Sequence, residues 1–346
     1  MTNTPAYRIG FACKYMHPDR TLSKRELESV ERPRNTRTTT VAWCNRQDPK
    51  TAELRILDII EHNITSVLNQ LKYVATLPAP LRMMRISSDL LPFYTQDDWR
   101  YMYGCADLVA YFERRFGEVG QFARDNDIRV SFHPGQFTVL ASDNPDIVER
   151  SIQEFEYHVD MLRWMGYGRT FQDAKCNVHI SGRQGPDGIK AVLPRLSAEA
   201  RNVITIENDE MCHGLDASME LVDDVALVLD IHHHWVRTGE YIQVDDDRVK
   251  RVLDSWRGVR PTMHYSLSRE DLLEDHCQDT MPDMEELLAA GYKKQKLRAH
   301  SDYMWNRASN EWAATFLEHF DIMVESKAKN LASIAFYEQI RDKDCV

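Results

Sequence analysis

The sequence has no apolar run approaching the ~18 residues that a membrane-spanning helix needs, so a bilayer-crossing chain is not expected. Its start, MTNTPAYRIGFAC, has no apolar core of the secretory kind, and a cytoplasmic chain is expected instead. No CxxC pair occurs. The seven cysteines are scattered and odd in number, which fits reduced thiols and argues against a disulfide framework or a zinc ribbon. Positive charge is not in excess: 43 Lys and Arg stand against 54 Asp and Glu, a formal charge of −11. That balance argues against non-specific coating of nucleic acid, although a groove needs only local positive potential. Neither GxSxG nor a Walker loop is found, so no nucleophile elbow or phosphate-cradling loop is available. Internal repeats and low-complexity tracts are also missing. What remains is an ordinary globular composition, 346 residues with 43% hydrophobic and 28% charged, enough to bury a core.

Within that composition a pattern recurs: a short β-branched run, turn residues, then a long helical stretch. The strand-like runs are Tyr7–Cys13, Arg82–Ser88, Ile128–His133, Cys176–Ser181, Val203–Glu207, Ala226–Ile231, Pro261–Ser266 and Asp321–Glu325. Helices are expected between most of them. Trp99–Asn126 reads as one long amphipathic helix, and 146–165 carries Ile147, Val148, Ile152, Phe155, Val159 and Leu162 at helical spacing. Strands alternating with helices imply a parallel sheet, and eight such units predict a single (β/α)8 TIM barrel over 1–346. Two excursions interrupt it, at about 18–50 and 268–296. The first is polar and basic, holding Lys24, Arg25, Arg32, Arg34, Arg37, Arg46 and Lys50; the second runs from acidic (REDLLEDHCQD) to basic (KKQK). Long loops in a compact domain are solvated surface or functional segments.

The strands end in ionisable groups where buried parallel strands should be apolar. The third ends in His133, the fourth carries His179, the fifth ends in Glu207 and the sixth in Asp230 with His233 following. The seventh carries His264 and the eighth ends in Glu325, while His300 stands just before the last helix–strand unit. In a barrel the carboxyl ends of all strands meet at one face, so these residues converge. A lone histidine there is more often a satisfied core group than a ligand. Six ionisable groups at consecutive strand ends point instead to two or three divalent ions, because unneutralised buried carboxylates would repel one another. Spacing does not choose among His232, His233 and His234 in IHHHW. His17, His62, His158, His213, His276 and His319 read as loop or core residues.

The segments MRISSDLLPF (84–93), VSFHPGQFTVLAS (130–142), NVHISG (177–182), ITIENDE (204–210), LVLDIHHHW (227–235), MHYS (263–266), RAHSDYM (298–304) and DIMVESKAKNLA (321–332) resemble the ultraviolet damage endonuclease family, metal-dependent DNA repair enzymes related to endonuclease IV. The resemblance implies cleavage of a phosphodiester on the 5′ side of a damaged or distorted nucleotide in double-stranded DNA, by a monomer with two or three ions, Mn or Zn. It implies one ion on His133 and His179, with Glu207 bridging to a second held also by Asp230, His264 and Glu325. A third would take His233 and His300, and Glu207 and Glu325 would carry the catalytic role. Gln136 and Phe137 match probing residues that enter the duplex beside the lesion, and Phe11 and Tyr15 match positions lining the damaged-DNA pocket. Arg85, the basic stretch 24–50, Lys327 and Lys329 are candidates for holding the DNA backbone, and a bacterial source would imply association with the nucleoid. The chain departs from the family pattern at Thr262, where a lysine often stands, at Phe11 in place of tyrosine, at Tyr15 in place of asparagine and at Phe137, where some members have tyrosine. The competing reading is a multi-metal TIM-barrel isomerase or oxidase acting on a small molecule or peptide, because a fold hosts many chemistries.

Overall fold

A computed structural model describes residues 5–341. Eight short strands form one parallel sheet: β1 Ile9–Ala12, β2 Met83–Arg85, β3 Arg129–Phe132, β4 Lys175–His179, β5 Ile204–Glu207, β6 Ala226–Val228, β7 Thr262–Tyr265 and β8 Asp321–Val324. The spatial order is β6-β5-β4-β3-β2-β1-β8-β7. The ends of that row meet through one parallel bridge, Asp230 to His264, with the His264 amide donating to the Leu229 carbonyl at 3.0 Å. This is the expected (β/α)8 TIM barrel. Each expected strand is present but most are shorter, because the ladder stops while the chain is still extended and its last residues turn toward the barrel mouth.

The helices form where apolar spacing and a cap coincide. Pro49–Ala75 starts on Asp48, whose side chain accepts from the Thr51 amide at 3.1 Å, and Pro49 occupies the first turn, where no amide proton is needed. Its buried Ile56, Ile60, Ile64, Val67, Leu71 and Val74 form one stripe against the sheet. Pro145–Trp164 starts on Asn144 in the same manner. The single helix expected over Trp99–Asn126 is instead a 3₁₀ turn at Arg100–Gly104 and an α-helix at Ala106–Asp125. Cys105 is extended (φ −70°, ψ 125°), and it separates the two.

At the amino ends of the strands the barrel is plugged by charge. Buried Asp321 accepts from the Arg8 amide at 2.8 Å and pairs with Arg129 at 2.7 Å and Arg260 at 2.8 Å. The opposite end carries the excursions, and both are structured. The first holds a helix at Lys24–Glu31, closed by a Ser23/Glu26 capping box, and a short helix at Val41–Cys44. The second holds Met284–Ala289 and Lys294–Leu297. Its Leu273, Met284, Leu287 and Leu297 pack on Trp235 and Val236 as a separate small core.

Candidate metal centre

His133 lies just beyond β3, His179 ends β4 and Glu207 ends β5, all at the carboxyl mouth. The β3 and β4 loops are held close by Gly182, whose φ of +100° and contact with the Ala141 carbonyl leave no room for a Cβ. Asp230 caps the Ile231–Thr238 helix, its Oδ1 accepting from the His233 amide at 2.7 Å. That cap turns His233 back toward the barrel axis. His264 sits within β7, and Glu325 follows β8 directly.

Glu207 is the centre of this arrangement. Its Oε2 lies 3.2 Å from His133 Nε2 and 3.9 Å from His179 Nε2, and its Oε1 lies 3.0 Å from His264 Nδ1 and 3.5 Å from His233 Nδ1. His264 Nδ1 is also 3.3 Å from Glu325 Oε1. Three ligand groupings result: His133 with Glu207 and His264, His179 with Glu207 and His233, and Asp230 with His264 and Glu325. Around them a polar frame fixes ring and carboxylate orientation, as metal centres require. His133 Nδ1 faces the Pro134 carbonyl at 2.8 Å, and Asn177 donates to Glu207 Oε2 while itself accepting from Thr205 Oγ1 at 2.7 Å.

Charge in the site is tightly constrained. Burial pushes the His133 imidazole down to about 4 despite Glu207, and burial likewise lowers His264. Burial would raise Glu207 and Glu325, but the histidines around Glu207, and Arg85 and His264 beside Glu325, hold both well below the usual carboxylate range. Asp230 is the exception: burial raises it, His233 opposes, and the Glu207 and Glu325 charges add to the rise. Its Oδ2 is buried with no hydrogen-bond partner. Burial also opposes protonation of His179 and His233, but Glu207 beside His179, and Asp230 with Glu207 beside His233, raise both, His233 to about 10. Three clustered carboxylates, two imidazoles held neutral, two holding protons that a cation would replace, and an orphaned carboxylate oxygen form a donor set that fits divalent cations.

The geometry selects within IHHHW. Only His233 faces the carboxylates. His232 stacks on Trp235 with ring centroids 5.6 Å apart, and His234 Nε2 contacts Glu240 at 2.9 Å. His300 is not in the tight groupings, but it lines the same cavity of about 230 Å³ as His179, His233 and Glu325. The base of the second excursion pins it: Ser268 and His300 form an antiparallel bridge, and the Ser301 amide donates to the Leu267 carbonyl at 2.9 Å. Gln136 lines that cavity too, and the Phe137 ring beside it is 86% exposed.

Three expected contacts are corrected. Phe11 is 1% exposed and Tyr15 5% exposed, so neither ring is presented to DNA. Phe11 belongs to a strand buried on both faces, while Asn35 clamps the Tyr15 backbone and Arg34 lies over the Tyr15 ring at 4.8 Å. Arg85 is turned inward, its side chain 15% exposed and paired with Glu325. Burial opposes its charge and Glu325 sustains it. Thr262, which departs from the family pattern, is buried.

Lys175, Asn177, Asp209, Glu210 and Arg298 were not singled out by the sequence reading. Lys175 Nζ lies 2.8 Å from His264 Nε2, and burial takes the amine down to about 7. Two-residue alternation places Lys175, Asn177 and His179 on one face of β4, a signal that starting the strand at Cys176 hid. Asp209 Oδ2 is 3.6 Å from His179 Nδ1, and Glu210 Oε2 is 3.6 Å from His233 Nε2.

Fold and site together define a (β/α)8 barrel with a histidine–carboxylate cluster at the carboxyl ends of its strands whose donors could hold metal ions. Its fold is that of SacUVDE (TM-score 0.72, 20% identity, 98% of this chain and 100% of that one) and, more distantly, of endonuclease IV from Thermus thermophilus (TM-score 0.53, 13% identity, 80% and 94%). The chain belongs to the UV-endonuclease UvdE family, whose profile matches residues 7–345. Among its curated relatives, a UV DNA damage endonuclease of Bacillus velezensis is 25% identical over 301 residues, 82% of each chain. Among the described residues no helix is long and apolar enough to cross a membrane.

Proposed function

We propose that this chain is a DNA repair endonuclease that cuts the phosphodiester on the 5′ side of an ultraviolet-damaged or otherwise distorted nucleotide in duplex DNA. The observation that carries the reading is Glu207, held between histidines and facing the Asp230–His264–Glu325 grouping beneath an exposed aromatic loop. In this reading His133, His179 and Glu207 hold one ion, and Glu207, Asp230, His264 and Glu325 a second. His233 and His300 serve a third, with Mn or Zn the ions that suit such donors. Ions bound there would offset the negative charge of the phosphodiester oxygens and make water a competent nucleophile near neutral pH.

The chain's own groups divide the remaining work. Glu207 and Glu325 fix the charge balance of the centre, and Arg85 keeps Glu325 ionised. His133 and His264, their protons disfavoured by burial, offer lone pairs rather than positive charge. Gln136 can donate to and accept from an orphaned base, and Phe137 can fill the vacated stack. Opening the duplex requires a few kcal/mol, less at a damaged base, which gives a source of selectivity. The enzyme acts as a cytoplasmic monomer, on the nucleoid if the source is bacterial.

The test is an end-labelled duplex, irradiated or not, incubated with purified protein before and after chelation and resupply of Mn or Zn. The expected result is a nick only in irradiated DNA, lost on chelation and regained on resupply. Equal cutting of both duplexes, or full activity in chelator, overturns the reading. Turnover of a sugar or peptide without nicking would move the chain to the competing isomerase or oxidase class.

A further inference from the structure

We propose that Arg298, just past the second excursion, grips a phosphate of the bound nucleic acid strand at the mouth of the metal centre, an assignment that rests on the nuclease reading. The cavity above the centre is lined by Gln136, His233, His300 and Glu325, and Arg298 is the one Lys or Arg among its described lining residues. A phosphodiester entering this space meets the carboxylates of Asp209, Glu210 and Glu325. It needs a cation on the open side that is not consumed by the centre itself. Arg85 does not serve, because it is turned inward onto Glu325.

Arg298 has the exposure and the mounting for that task. Its side chain is 47% exposed, and Nη1 pairs with Glu210 Oε1 at 3.1 Å. Glu210 is itself only 10% exposed and lies against His233. One anchored nitrogen orients the guanidinium and leaves further donors in a planar fork suited to phosphate oxygens. The backbone is pinned on both sides. Leu297 is buried in the excursion core, and its carbonyl accepts from Ser268 Oγ at 2.6 Å. Two residues after Arg298, His300 is bridged to Ser268. An arginine fixed before the ligand arrives loses less freedom on binding than one on a mobile loop. The exposed Lys293 and Lys296 on the same segment extend positive charge outward from it. The base of the excursion thus holds a metal-centre histidine and a phosphate-binding arginine at the mouth together.

The bland alternative is an ion pair that only steadies Glu210 and, through it, His233. Arg298→Ala, Arg298→Lys and Glu210→Gln separate the two. Arg298 is half-exposed, so the variants are expected to fold, and melting curves together with metal content verify it. With metal-loaded protein, Arg298→Ala is expected to weaken binding of inorganic phosphate at least tenfold, Arg298→Lys to recover part of the loss, and Glu210→Gln to change it little. On irradiated duplex, Arg298→Ala is expected to raise KM and to reduce the slope of log affinity against log salt by about 0.9, the signature of one lost phosphate contact. An unchanged salt slope with unchanged phosphate affinity overturns the proposal, as does an equal loss in Glu210→Gln. If the parent does not nick but phosphate affinity still falls in Arg298→Ala, the grip stands and the nuclease reading falls. If phosphate affinity is the same in both, the grip falls whatever the nicking assay shows.

Discussion

Asp230→Asn separates holding an ion from holding the fold. Asp230 is fully buried; its Oδ1 caps the Ile231–Thr238 helix at 2.7 Å from the His233 amide, while Oδ2 has no hydrogen-bond partner. Burial, opposed by His233 and reinforced by Glu207 and Glu325, takes the carboxyl from 3.8 up to about 8. In chelated protein at pH 7 the folded state therefore binds a proton that the unfolded chain has released. The gap between 3.8 and 7 sets an upper limit of about 4 kcal/mol at ~1.4 kcal/mol per unit. Asparagine keeps the cap through its carbonyl oxygen and places an amide donor where the carboxylates lie, so part of that limit should be recovered, about 2 kcal/mol. At roughly 2 °C per kcal/mol for a chain of this size, the chelated variant should melt about 4 °C above the chelated parent. The sign follows from the raised pKa. The parent's chelated stability falls as pH rises from the ordinary carboxylate range through about 8, and the variant lacks that slope. Its advantage should be small near pH 4 and largest near pH 8. With Mn or Zn present the order should reverse, since an ion at 100 times its Kd adds about 2.7 kcal/mol to whichever chain binds it. The assay is a set of melts at pH 5 and pH 8, in chelator and in metal. A variant that melts below the parent in chelator at both pH values would refute the view that Asp230 is an electrostatic liability retained for a cation.

Glu207→Gln should reduce nicking of irradiated duplex by more than 1,000-fold, about 4 kcal/mol of barrier, while the fold survives; a loss within tenfold would remove Glu207 from the centre. His233→Ala should lose far more activity than His232→Ala or His234→Ala, because only His233 faces the carboxylates; steady-state nicking rates check this, and equal losses would contradict the geometry. Gln136→Ala should lower the ratio of affinities for damaged and intact duplex at fixed salt with metal content unchanged, and an unchanged ratio would shift lesion recognition to Phe137.

Much of this molecule could be read in advance because two periodicities carried the information. Apolar runs of strand length located all eight strands, and one topological rule, that parallel strand ends share a face, gathered His133, His179, Glu207, Asp230, His264 and Glu325 from distant parts of the chain. Orientation about each strand was less legible. β1 and β2 are buried on both faces, so alternation does not say which side a residue takes. Phe11, which the resemblance matches to a pocket position, packs in the core, and Arg85, a candidate backbone contact, pairs with Glu325. Amphipathic spacing ran through the break at Cys105 because the apolar stripe continues across it, and only the backbone torsion there records the interruption. The excursions were opaque for another reason. Their roles lie in long-range contacts, Asn35 on Tyr15 and Ser268 on His300, which leave no local pattern.

The barrel's least regular strand pairing coincides with its chemistry. Seven of the neighbouring strand pairs form ladders, yet β6 and β7 meet through the single bridge between Asp230 and His264. Those two residues also supply donors to the same ligand grouping. A sheet selected for stability alone would extend this seam with apolar β-branched residues. Here it ends in a buried carboxyl group and an imidazole, and the next helix holds three consecutive histidines, poor helix formers, just after the buried Asp230. Local rules fail together at this point, and functional sites are where such failures are expected to cluster. The surrounding frame offsets the penalty: Asn208 makes two hydrogen bonds to the Asp230 backbone, Trp256 donates to the Leu227 carbonyl at 2.7 Å, and Trp235 anchors the second excursion over the seam. The seam thus stays open enough in its ladder to point donors inward, and packed enough around it to keep them there.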